Sequence, residues 1–137
     1  MADATTSAHV AGFDPDDLRG FVSDAHSLVA LTSKVVTGKV HDLLPVRYHF
    51  VGASLTQHGR YEVTYEVAFR RQVVLTVPLR GEEPFLAHAI DLDVPGGVSP
   101  SGSGEGPREA LLALAKATPL FAPWRGEAAA KAAGGAA

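Results

Sequence analysis

The chain has 137 residues, a formal net charge of -3 and no cysteine. This length fits one domain, because domains run to about 100–200 residues, and the hydrophobic fraction of 46% is enough to form a core. The missing cysteine excludes disulfides, thiol catalysis, thiolate zinc sites and iron–sulfur clusters held by this chain. The negative charge argues against nucleic-acid binding, and no apolar run approaches the ~18 residues of a membrane span. No secretory signal is visible, so we expect a cytoplasmic protein.

The first predicted element is a helix over about residues 15–31, which follows a disordered arm over residues 1–13. Asp14 suits the N-cap and Pro15 the first helical position, where a missing N–H costs nothing. Apolar residues then recur at helical spacing and predict one buried stripe, formed by Leu18, Phe21, Val22, Ala25, Leu28 and Val29. The pattern allows the helix to continue to residue 36 and predicts its end by Gly38, since glycine accepts a left-handed cap.

Three strands are predicted next, at about residues 46–54, 60–69 and 73–80. The second has strict alternation, with aromatic and β-branched residues on one face and charged residues on the other. Short turns between the strands favour an antiparallel meander under the helix, which predicts a two-layer α+β domain over residues 14–94. The segment 85–90 is too short to be assigned.

The remainder of the chain is predicted to lie outside this two-layer domain. Residues 95–107 are rich in glycine and serine and predict a flexible linker. Residues 108–124 predict a C-terminal helix followed by an aromatic anchor, and the alanine-rich tail over 125–137 is expected to fray.

The ionisable residues form no recognisable catalytic or metal site. The six histidines lack the spacing of a helical metal pair, so we expect surface or turn roles for His9, His26, His41, His49, His58 and His88. Glu62 and Glu66 share a strand face but lie about 13 Å apart, which is too far for a cooperating acid–base pair. Asp91 and Asp93 supply too few oxygens for calcium. We therefore expect no metal.

Four short runs in the middle of the chain carry a family resemblance. They are residues 47–50 (RYHF), 59–65 (GRYEVTY), 73–79 (VVLTVPL) and 83–86 (EPFL). Their order and spacing resemble the 30 kDa subunit family of respiratory NADH dehydrogenase and its relatives in membrane-bound hydrogenases. The acidic signature stretch of that family is missing, because residues 91–97 lead directly into the Gly/Ser segment instead.

The resemblance implies a non-catalytic accessory subunit of a redox complex. Such a subunit holds no cofactor, docks on a larger catalytic subunit, and lies in the cytoplasm or on the cytoplasmic face of a membrane complex. Our candidate contact residues are of two kinds. The first are two arginines at a predicted hairpin tip, Arg70 and Arg71. The second are apolar residues in irregular segments, namely Phe85, Leu86, Phe121 and Trp124. The alternative is that these apolar side chains contact no partner and cover the ends of the core.

Two other functions remain open from the sequence. A helix on a curved sheet forms a pocket in a small ligand-binding domain or enzyme, and the polar groups inside it would be Tyr48, Tyr61, Tyr65 or His49. In the second alternative, the chain is a protein-interaction module that binds its partner through residues 108–124 on the flexible linker.

Overall fold

The computed structural model describes residues 25–56, 60–78, 82–94, 96 and 99–136. The predicted N-terminal arm and the predicted helix start at Asp14 and Pro15 lie outside these residues.

The described residues form three helices and five strands. In chain order these are α1 (Ala25–Val40), β1 (His49–Leu55), β2 (Tyr61–Ala68), β3 (Arg71–Val77), β4 (Phe85–Asp91), β5 (Ser101–Gly104), α2 (Pro107–Ala117) and α3 (Gly126–Ala136). The strands form one antiparallel sheet in the order β1-β2-β3-β4-β5, so each pairs with its neighbour in sequence. The predicted α+β class, with helices against an antiparallel sheet of three or more strands, is confirmed.

The core lies between the helices and one face of the sheet. Strand β2 has strictly alternating burial, and its buried side is formed by Tyr61, Val63, Tyr65 and Val67. All three helices contribute side chains to the same cluster, including Val36 of α1, Leu111 of α2 and Ala128 of α3. The period-two pattern of the sequence therefore corresponds to the inner face of a two-layer structure.

The Gly/Ser segment differs from the predicted flexible linker. Residues Ser101–Gly104 form β5, which pairs with β4 from Phe85↔Gly104 to His88↔Ser101. Helix α2 lies directly on this strand, and a Cβ built on Gly102 would stand 2.5 Å from the backbone nitrogen of Leu114. Glycine is needed here because a helix backbone passes close to the strand.

The C-terminal tail also differs from the expectation that it frays. Residues 126–136 form α3, and Arg125 fixes the start of this helix to the turn after α1. The Arg125 backbone N–H donates to the carbonyl of Leu43 over 3.1 Å, and its Nε donates to that of Leu44 over 2.6 Å. The methyl groups of Ala128 and Ala132 are buried, so small side chains allow α3 to pack closely.

Arg108 at the start of α2 connects this helix with α1, with the turn after α1 and with α3. Its guanidinium donates to Asp42 Oδ1 over 2.7 Å, to the Lys39 carbonyl over 2.9 Å and to Glu127 Oε2 over 3.1 Å. The hydrogen bond from Arg108 is the main cause of a lowered pKa at Asp42. These contacts are exposed, so they orient the helices more than they stabilise them.

We predict that Thr32→Val stabilises the fold by about 1 kcal/mol. Thr32 is fully buried on α1, and its Oγ1 has no hydrogen-bond partner among the described residues. A methyl group in place of the hydroxyl removes the cost of burying an unpaired polar atom. Urea titration measures the change, which should appear in the midpoint at an unchanged slope.

Thr32→Ser serves as the control, because it keeps the hydroxyl and removes the buried methyl group. We expect this variant to be less stable than the wild type. A stability loss in Thr32→Val would show instead that the hydroxyl has a partner in solution.

Candidate functional site

Three segments that are distant in sequence meet at one end of the sheet. They are residues 69–71, which cover the β2–β3 turn and the start of β3, residues 91–94, which cover the end of β4 and the turn after it, and residues 118–121 after α2. The Leu92 N–H donates to the Arg70 carbonyl over 2.8 Å, and Arg71 donates to the Phe121 carbonyl over 2.9 Å. We call this surface the hairpin end and define it by Phe69, Arg70, Arg71, Asp91, Leu92, Asp93, Val94, Leu120 and Phe121.

Arg70 shapes the turn at the hairpin end. Its φ of 58° lies in the left-handed region that non-glycine residues rarely adopt. Its side chain forms an ion pair with Asp93 and donates to the Leu92 carbonyl over 3.2 Å. These contacts and the backbone bond to Leu92 hold the turn in a conformation that costs about 1–3 kcal/mol.

Arg71 attaches the segment after α2 to the sheet. Its guanidinium carbon lies 5.5 Å from the ring centre of Phe121, within the range of a cation–π contact. Its Nε also lies 3.8 Å from Asp91 Oδ2. Both predicted hairpin-tip arginines therefore make intramolecular contacts while keeping part of their guanidinium surface exposed.

Large apolar side chains are exposed at the hairpin end. The exposed fractions are 87% for Phe69, 39% for Leu92, 60% for Val94 and 92% for Leu120. The last three border a cavity of about 580 Å³ that Phe121 also lines. Clustered apolar exposure of this kind marks interaction surfaces.

The other three predicted contact residues lie elsewhere. Phe85 packs against the core from β4, whereas Leu86 lies on the opposite face of the sheet beside Thr76. Trp124 is only 8% exposed, and its Nε1 donates to the Thr118 carbonyl over 3.3 Å. The structure thus brings Arg70, Arg71 and Phe121 together at the hairpin end, whereas Trp124 is buried beside Thr118 and Phe85 and Leu86 lie on β4.

Phe69 and Leu120 are not among the contact residues predicted from the sequence. Phe69 continues the alternation of β2 in sequence, but the turn begins there and directs its ring to solvent. The only sequence signal for Leu120 is its place directly after Pro119, beyond the end of a helix.

A second cavity lies between α1 and β1, where one sequence-based alternative places a ligand pocket. It has a volume of about 410 Å³, and we call it the helix–strand pocket. Its lining residues are Ser33, Lys34, Thr37, Gly38, His41, Tyr48 and Phe50. Of the polar groups proposed for such a pocket, Tyr48 lines it, Tyr65 supports it from below, and Tyr61 and His49 are not part of its wall.

Tyr65 forms the base beneath the helix–strand pocket. Its hydroxyl lies 2.7 Å from Thr37 Oγ1, which donates its single proton to the Ser33 carbonyl over 2.7 Å. Tyr65 must therefore be the donor to Thr37. Its ring contacts Tyr48 edge-on, with ring centres 5.6 Å apart. Burial raises the pKa of Tyr65 to about 12, so this phenol is neutral at physiological pH.

The carboxylates considered from the sequence do not converge on either cavity as a reactive group. Glu62 and Glu66 lie on the sheet face opposite the buried side of β2, and Asp91 and Asp93 pair with the two arginines of the turn. Within the described ranges, no three His, Asp or Glu side chains are grouped as metal ligands. No helix among these residues is long and apolar enough to cross a membrane.

Comparisons with known proteins do not assign a family. No protein-family model, no curated protein and no solved structure matches the chain. The resemblance of residues 43–86 to the 30 kDa subunit family therefore stays a prediction from the sequence.

Proposed function

We propose that this chain is a non-catalytic binding subunit that docks a larger protein through the hairpin end. The observation that carries the proposal is the set of exposed apolar side chains at the hairpin end, where Leu92, Val94 and Leu120 border one cavity and Phe69 lies in the adjoining turn. Scattered apolar side chains are normal on a protein surface, but a cluster around a cavity is typical of a contact site. Covering these side chains in a complex would remove their apolar area from water.

The hairpin end is also held in shape before any partner binds. Arg70 is fixed by Asp93, and Arg71 is fixed by Phe121, so the three segments form a connected surface. A preformed surface loses less conformational entropy on association than a flexible one. The partly exposed guanidinium groups would form a polar rim around the apolar side chains, as interfaces commonly have.

The sequence resemblance supplies the class of partner to test first. It names the large catalytic subunit of a redox complex of the NADH dehydrogenase or hydrogenase type. In that arrangement this chain contributes a docking surface, and the partner holds the redox cofactors.

The proposal predicts that a specific protein co-purifies with the tagged full chain from its native host. We expect a fixed stoichiometry by mass spectrometry and, for a redox partner, flavin or iron–sulfur absorbance in the purified complex. Phe69→Asp combined with Leu120→Asp should reduce co-purification at least about tenfold, because a charge in an apolar contact is left desolvated. Both side chains are exposed, so the fold and its melting temperature should change little.

Leu55→Asp is the matched control, because Leu55 is 43% exposed and lies at the end of β1 that is farther from the hairpin end. It should retain the partner. The docking proposal fails if the chain purifies alone, or if the double variant and Leu55→Asp retain the partner equally. A partner without redox absorbance would overturn the redox assignment and leave the docking surface in place.

A further inference from the structure

We infer that the helix–strand pocket binds a small organic anion with an apolar body, such as an aryl carboxylate or aryl sulfonate. Its volume of about 410 Å³ falls within the range of small-ligand sites, which is about 300–1,000 Å³. The inference rests on α1 and β1 and is independent of the hairpin end.

The aromatic wall of the pocket supplies the apolar contact. Phe50 is 50% exposed, and its ring centre lies 6.2 Å from that of Tyr65 in an edge-to-face arrangement. Tyr48 contacts the same Tyr65 ring from another side, with an interplanar angle of 83°. Two rings that are fixed by a third, fully buried ring form a preorganised surface for an aromatic or aliphatic group.

Gly38 keeps the helix wall of the pocket open. Glycine is among the least favourable residues inside a helix, yet Gly38 lies within α1. A Cβ at this position would meet no atom of the described residues within 4 Å, so close packing against them does not require glycine. Since Gly38 lines the pocket, a larger side chain there would occupy the space that we assign to the ligand.

The basic residues of the lining favour a negative ligand. Lys34 precedes Gly38 by four residues and His41 follows it by three, which places both beside Gly38 on one helix face. Both residues line the pocket, and none of the seven described residues that line it is acidic. The Ser33 and Thr37 hydroxyls donate to carbonyls within α1, to Ala30 over 2.9 Å and to Ser33 over 2.7 Å. Lys34 and His41 are therefore the basic groups available to contact an anion, and the Tyr48 hydroxyl lines the same pocket.

The test uses 8-anilinonaphthalene-1-sulfonate, a fluorescent aryl sulfonate, with the full-length chain. We expect saturable binding of one probe per chain, and at least about tenfold weaker binding in Gly38→Leu. Gly134→Leu is the matched control, because Gly134 is a glycine of α3 whose Cβ would also meet nothing within 4 Å. It should bind like the wild type.

A second pair of variants tests the charge preference. Lys34→Gln should weaken binding of the sulfonate about fivefold and leave binding of the neutral analogue N-phenyl-1-naphthylamine unchanged. Lys116→Gln, on the exposed side of α2, should affect neither probe.

Thermal melts establish that each variant is folded, and Phe50→Ala replaces Gly38→Leu if the latter does not fold. The inference is overturned if the pocket variant binds the sulfonate like the wild type, or if Lys34→Gln affects both probes equally. Loss of the probe in Leu120→Asp would also overturn it, because the probe would then occupy the hairpin end.

Discussion

Replacing Gly102 or Gly104 by alanine should destabilise the fold by about 3 kcal/mol. A Cβ on Gly102 would lie 2.5 Å from the Leu114 backbone nitrogen, and one on Gly104 would lie 2.8 Å from that of Ala110. These neighbours are backbone atoms of α2, so no side-chain rotation relieves the overlap. The helix would have to move away from β5 as a body, which would loosen the packing of Leu111 in the core.

Urea or guanidinium denaturation measures this loss as a shift of the midpoint. Gly52→Ala is the matched control, because Gly52 also lies in a strand but its Cβ would meet nothing within 4 Å. We expect its stability to change by less than about 0.5 kcal/mol. Equal effects at Gly102 and Gly52 would contradict the close contact between α2 and β5.

The fold class follows from the sequence because its signal is local. In β2 each alternate side chain is apolar and buried, so the face that meets the helices can be identified without knowing the helices. The segment Phe85–Asp91 is less informative, since its buried positions Ala87 and Ala89 are small residues with weak strand preference. Its assignment depends on the hydrogen bonds to β3, which the sequence of β4 does not show.

The Gly/Ser segment shows that composition alone does not predict whether a segment is a flexible linker or a strand. Glycine is common in flexible linkers and is also required where two backbones approach closely, so both structures have the same composition. The pairing with β4 and the position of Ala113 and Leu114 over Gly102 distinguish them. In the same way, the sequence predicts the end of the first helix by Gly38, but Val40 is buried and continues the helix beyond it.

The candidate sites are predictable in part. The arginine pair and Phe121 stand out in sequence as charged or aromatic residues in turns, and the structure brings them together. Trp124 looks equivalent in sequence, yet its ring is buried and its indole N–H is paired with Thr118. Whether such a residue faces solvent or the core depends on how the chain returns after α2, which is a tertiary property.

Stability should fall between about pH 10 and pH 12, and Tyr65 should account for about 2–3 kcal/mol of the loss. Burial raises the pKa of Tyr65 from 10.0 to about 12, so the folded state holds this proton more tightly than the unfolded state. The contribution is fully present below about pH 10. It is lost as the pH rises toward 12, because the unfolded chain then ionises first and is favoured.

Tyr65→Phe isolates this contribution, since the ring stays and the ionisable hydroxyl is removed. At pH 7 the variant should be about 1 kcal/mol less stable, because the hydrogen bond to Thr37 is lost. Its stability should then decline less steeply, so the two curves cross before pH 12. Tyr61, whose pKa burial also raises, titrates in both proteins and cancels in the difference. Parallel curves in denaturant titrations across this range would mean that the Tyr65 hydroxyl reaches water in the folded protein.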